Sequence, residues 1–105
     1  MQKQIQIGPV RFTILMMPDF HDGDKKLDGW IQYNDSTIRL DAGLGAQAQV
    51  QTLWHEVVHG VMTTVGHPSK DRAVDAIAYG LIQVLVDNPW LYELTRTTFK
   101  RRTHA

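Results

Sequence analysis

Five consecutive residues of this chain, His55-Glu56-Val57-Val58-His59, combine two imidazoles and a carboxylate in the pattern H-E-x-x-H. Imidazole nitrogen is a good zinc ligand, and two histidines four apart on a helix project from the same side, one turn apart. Glu56 is adjacent and need not bind the metal. It can hold a water at the metal and take its proton. The chain's acids are nine aspartates and only two glutamates, Glu56 and Glu93, so one of the two rare carboxylates falls inside the motif.

A catalytic zinc site takes a third protein ligand. Asp75 is the expected one: it lies beside the apolar stripe of the following helix, as His55 and His59 lie beside the stripe of theirs. Asp71 and His67 are rivals. Asp71 falls in a first helical turn, where an acid stabilises the helix dipole, and His67 falls in the turn between the helices. His21 and His104 read as solvated, in a loop and a tail. Tyr79, one turn after Asp75, is a candidate donor to the oxyanion formed when water attacks a carbonyl. The alternative for Tyr79 is packing at the core rim with its hydroxyl in water.

The elements that must position these groups are legible from periodicity. Val50, Leu53, Trp54, Val57, Val58, Val61, Met62 and Val65 recur at helical spacing, and Gly66-His67-Pro68 ends that helix. A second helix is expected from about Ser69 to Asp87, with Val74, Ile77, Ala78, Leu81, Ile82 and Leu85 on one face. Asn88 and Pro89 read as the N-cap and first residue of a shorter third helix through Trp90, Leu91, Leu94 and Phe99. Upstream, Ile5 to Met16 alternate as strands broken at Gly8-Pro9, and residues 18–28 form a polar loop. Gly29–Tyr33 and Thr37–Asp41 flank the turn Asn34-Asp35-Ser36. The expected class is α+β: a small N-terminal antiparallel sheet, then two long helices and a short one, in a single domain spanning 1–105.

Composition narrows the function. Eleven basic residues balance eleven acidic ones, so no net field favours nucleic acid or an anionic membrane, and the basic run Lys100-Arg101-Arg102 reads as a solvated end. No stretch is long and apolar enough for a membrane span, and no secretory signal is visible; a cytoplasmic location is expected. The absence of cysteine removes disulfides, thiolate zinc ligands and a cysteine nucleophile. It also argues against a peptide-deformylase type of zinc hydrolase, which shares H-E-x-x-H but uses a cysteine ligand.

With these residues in place, the chain resembles the small zinc peptidases of the ImmA/IrrE family, especially short phage- and prophage-encoded relatives. The resemblance runs from about Gly29 to Leu91. It is carried by Ile38-Arg39-Leu40-Asp41, by the H-E-x-x-H run, by Val74-Asp75-Ala76-Ile77-Ala78-Tyr79-Gly80-Leu81 and by Asp87-Asn88-Pro89. It implies a zincin-like fold, Zn2+ between two helices, hydrolysis of a peptide or protein substrate, and action in a host cytosol if the chain is phage-encoded. It further implies that the strand before the metal helix, Thr37-Ile38-Arg39-Leu40-Asp41, takes substrate as an added strand. The family usually supplies a glutamate as third ligand, where this chain has Asp75. The rival expectation is a non-catalytic, zinc-stabilised interaction module, such as a phage factor engaging a host regulator; retention of Glu56 argues for the enzyme, because a structural site needs no base.

Overall fold

The computed structural model describes residues 3–100. The expected solvated readings of Arg101, Arg102 and His104 lie outside them. Six strands precede three helices: β1 (Lys3–Ile7), β2 (Val10–Met17), β3 (His21–Asp22), β4 (Lys25–Lys26), β5 (Gly29–Gln32), β6 (Thr37–Asp41), α1 (Ala46–Thr64), α2 (Asp71–Asp87) and α3 (Pro89–Thr98). The α+β class and the order of strands before helices are as expected.

The sheet is not purely antiparallel. Its order is β1-β2-β6-β5, and β2 and β6 run parallel, Thr13 opposite Thr37 through Met17 opposite Asp41. Sequence periodicity reports which face a residue occupies and not which strand lies beside it. Residues 18–36 form the crossover that parallel pairing demands, and they contain the small β3–β4 hairpin as well as β5. Two tight turns fix the antiparallel pairs. Gly8, at φ 56°, opens the two-residue β1–β2 turn, a position where an L side chain would be strained. Between β5 and β6, Asp35 accepts bonds from Thr37 and Arg39.

Helix α1 is the middle layer. Leu53 and Val57 pack on a sheet core of Ile7, Phe12, Ile31, Ile38 and Leu40. Trp54, Val58 and Met62 pack on Val74 and Ala78 of α2. The apolar stripe of α1 therefore serves two faces, and the H-E-x-x-H residues lie along the same length of helix. The helix closes with paired bonds from Gly66 to the Thr63 carbonyl and from His67 to the Met62 carbonyl, with Gly66 at φ 75°, the left-handed C-terminal cap its sequence announces.

Helix α2 departs from the expected packing. Val74 and Ala78 are buried, but Ile77 and Leu81 are exposed and Ile82 and Leu85 only half-buried, because α1 covers one edge of a wider apolar face. Pro89 begins α3 as expected, although the Asn88 side chain donates back to the Val84 carbonyl instead of capping α3. Among the described residues α3 packs only on α2. No helix among the described residues is long and apolar enough to cross a membrane.

Candidate metal centre

The seam between α1 and α2 gathers the titratable groups. His55 and His59 face each other edge to face, with ring centroids 4.7 Å apart. Asp71 Oδ1 lies 2.7 Å from His59 Nε2 and 3.4 Å from His55 Nε2. One donor atom from each of these three residues falls within 4.8 Å of the others. In a tetrahedral zinc site with bonds of about 2.0–2.1 Å, ligand atoms sit about 3.3 Å apart, a spacing small side-chain rotations would reach. Two imidazole nitrogens and one carboxylate oxygen also form a donor set that zinc accepts, so the residues fit the ion the sequence implies.

Here the geometry differs from the expected ligand set. Asp75 Oδ1 lies 2.6 Å from His55 Nδ1, on the far nitrogen of the ring, and Asp75 does not belong to the cluster of converging donors. The reason is helix phase and length. α2 begins at Asp71, two residues later than its sequence suggests, and its first turn lies over both histidines. Asp75, one turn along, reaches only His55. A proton kept on Nδ1 for Asp75 leaves the Nε2 lone pair free, which is how an orienting carboxylate prepares a histidine for a metal. The hydrogen bond from His59 holds the Asp71 carboxyl below the usual aspartate range. His67 is exposed in the α1–α2 turn, apart from the cluster. His21 is exposed as expected but opens strand β3, opposite Lys26, where the sequence reads as a loop, and its ring lies near the Asp19 carbonyl.

Glu56 points the other way, into the gap between α1 and the sheet. It is 7% exposed, and its Oε1 accepts a hydrogen bond from the Ile31 backbone N–H at 3.0 Å. Burial pushes its carboxyl up from the ordinary glutamate value, against the pull of the two histidines and of the Ile31 amide. Two glycines allow this close approach. A Cβ on Gly29 would stand 2.5 Å from Thr52 of α1, and one on Gly60 would stand 3.0 Å from both Ile7 and Ile31.

A cleft opens on each side of the centre. One, of about 380 Å³, lies between Gln51, Tyr79, Asp28 and Asp75. The other, of about 520 Å³, lies between Trp30, Tyr33 and Lys25. Both are lined by Gly29, His55, Glu56 and Asp71. Tyr79 thus stands on a cleft wall, exposed, with its hydroxyl 3.5 Å from Gln51 Oε1.

The expected substrate strand is corrected by the topology. β6 is paired on both sides, with β2 and with β5, so Thr37 to Asp41 have no free backbone edge for a peptide. Its side chains are committed as well. Thr37, Ile38, Leu40 and Asp41 are buried, and Arg39 bonds Thr37 and Asp35. Asp41 accepts bonds from Lys26 Nζ and from the backbone N–H groups of Phe20 and Gly43, tying the 18–28 loop to the end of the sheet. The free edge beside the metal centre is β5, the strand before β6. A short run ending in a turn looks the same in sequence whether it is an edge or an interior strand; Gly29, next to an aromatic on a strand, is the available signal of a close backbone approach. No family model matches the chain, and no curated protein or solved structure matches it.

Proposed function

We propose that this protein is a zinc-dependent peptidase of the zincin type, resembling the ImmA/IrrE group. The observation that carries the reading is a donor cluster, His55, His59 and Asp71, with a buried carboxylate, Glu56, on the adjacent helix position and a free sheet edge alongside. Bound zinc would supply Lewis acidity, acidifying a water and polarising the scissile carbonyl. His55 and His59 would hold it through Nε2, and Asp71 through a carboxylate oxygen. Asp75 keeps His55 in the required tautomer.

Glu56 takes the proton of the attacking water and returns it to the leaving amine; its raised affinity for a proton suits an acid–base group that must serve both steps. Tyr79, on the cleft wall, would donate to the developing oxyanion; its position lining the same cleft as His55 and Glu56 supports this role. An extended peptide lies along β5 with its side chains alternating between cleft and solvent.

The test joins metal content to turnover. Protein purified without added metal should carry near-stoichiometric zinc and cleave unstructured casein fragments. Glu56→Gln should retain the zinc and lose about 10²-fold or more in turnover. Full activity in Glu56→Gln would exclude Glu56 as the base, and failure to take up zinc on reconstitution would exclude the metal centre. The exposed face of α2 and α3, with Ile77, Leu81, Trp90 and Leu94, favours a second reading as a zinc-stabilised interaction module. In that case Glu56→Gln leaves the biological activity intact.

A further inference from the structure

The hydrogen bond between Glu56 and β5 has a consequence for how the proposed reaction would begin, and it rests on the peptidase reading above. In the antiparallel pair of β5 and β6, residues alternate between bonding their partner and facing outward. The Asp41 amide bonds the Asp28 carbonyl, and the register places Gly29 opposite Leu40 and Ile31 opposite Ile38. Gly29 and Ile31 are therefore the residues of β5 whose backbone groups face away from the sheet, as the bond from Ile31 N–H to Glu56 shows directly. These outward groups are what a peptide added to the edge must pair with. The Ile31 amide, however, already donates to Glu56 at 3.0 Å, and this is the one hydrogen bond Glu56 makes among the described residues.

We propose that the Glu56 carboxylate and the substrate backbone compete for the Ile31 amide, so that pairing of a peptide with β5 releases Glu56 for proton transfer. One N–H cannot give a full hydrogen bond to two acceptors. In the resting enzyme Glu56 occupies the place of a substrate carbonyl and blunts the exposed strand edge. When a peptide carbonyl takes the amide, Glu56 is left buried with no donor, a costly state that is relieved by turning to the water at the metal centre. Substrate alignment and delivery of the base become one event. Gly29 and Gly60 are what let β5 come close enough to α1 for the exchange.

The test compares zinc-loaded variants that all lack the carboxylate and therefore do not consume the peptide. Glu56→Gln keeps an acceptor for the Ile31 amide. Glu56→Ala and Glu56→Leu do not, and the leucine variant fills the buried volume should the alanine variant fold poorly. Overlapping ten-residue casein peptides are titrated calorimetrically into each, and exchange of the Ile31 amide is followed by NMR without peptide. The expected result is about tenfold tighter peptide binding by Glu56→Ala and Glu56→Leu than by Glu56→Gln. Exchange at Ile31 should be slow in wild type and Glu56→Gln and fast in the other two.

Equal affinities, or an Ile31 amide still protected in Glu56→Leu, would overturn the competition while leaving the peptidase reading intact. Binding of no casein peptide by any variant would overturn the competition together with the assignment of β5 as substrate strand. Failure of the peptidase reading itself is read separately, from zinc content and casein cleavage by the wild type.

Discussion

At the scale of single residues, the two aspartates of α2 have separable roles. Asp71 Oδ1 faces the Nε2 atoms of both histidines, whereas Asp75 holds only Nδ1 of His55. Competition with a zinc chelator should therefore rank the variants. His55→Ala and His59→Ala lose tight binding, and Asp71→Ala falls close behind them. Asp75→Ala weakens zinc by about 10- to 100-fold, the usual effect of removing an orienting partner. His67→Ala, in its exposed turn, leaves affinity unchanged. A larger loss in Asp75→Ala than in Asp71→Ala would exchange the two roles. On the proposed reading, Tyr79→Phe should lower turnover without changing zinc content, since it would remove the proposed oxyanion donor and none of the converging metal donors.

At the scale of elements, the contact between β5 and α1 decides whether the site exists. Gly60 sits beneath Ile7 and Ile31, with 3.0 Å between their terminal methyls and any added Cβ. Gly60→Ala should press on both methyls at an overpacking cost of about 1–3 kcal/mol, offset by about 1 kcal/mol of helix propensity, for a net loss in urea unfolding of up to about 2 kcal/mol, and on the proposed reading turnover should fall as the Ile31 amide shifts relative to Glu56. A variant with wild-type stability and turnover would show that the methyls yield freely. The Lys26–Asp41 pair gives a pH dependence at the other end of the sheet. The hydrogen bond from Lys26, aided by the Gly43 and Phe20 amides, lowers the Asp41 carboxyl below its ordinary value. A depressed native carboxyl stabilises the fold above its unfolded value of about 3.9, and that contribution is lost as pH falls further, through the native value. Asp41→Asn should therefore be less stable than wild type at pH 6 and converge on it only once the pH has fallen through the depressed native value of Asp41, measured by urea unfolding at each pH.

At the scale of the whole molecule, α1 is gripped by the sheet on one side, while α2 is held through a small patch of Val58, Val74 and Ala78, and among the described residues α3 rests on α2 alone. A metal shared by His55, His59 and Asp71 would fasten that weaker seam. Zinc at a hundredfold excess over its dissociation constant should raise stability by about 2.7 kcal/mol, or about 10–20 °C in melting temperature for a chain of this size. Chelation should remove that increment, and hydrogen exchange should then rise first in α2 and α3, before the sheet and α1. A uniform rise across the chain would mean that the metal does not bridge the helices.

Local chemistry was written in the sequence. The H-E-x-x-H spacing on an apolar helical stripe, the Gly66 cap, the Pro89 start of α3 and the β5–β6 turn depend on neighbours within a few residues, so pattern alone locates them. The α+β order follows for the same reason. What the sequence left open involves partners far along the chain. Alternation of apolar residues in Thr37 to Asp41 shows that one face is buried, but the two hydrogen-bonding edges of a strand carry no side-chain signature. Only the fold placed β6 inside the sheet and β5 at its rim. Likewise, Asp71 and Asp75 are equivalent as acids on one helix face. The first residue of α2 and its packing on α1 decided which of them meets both histidines, because that choice depends on the relative position of two helices joined by a turn and not on the composition of either.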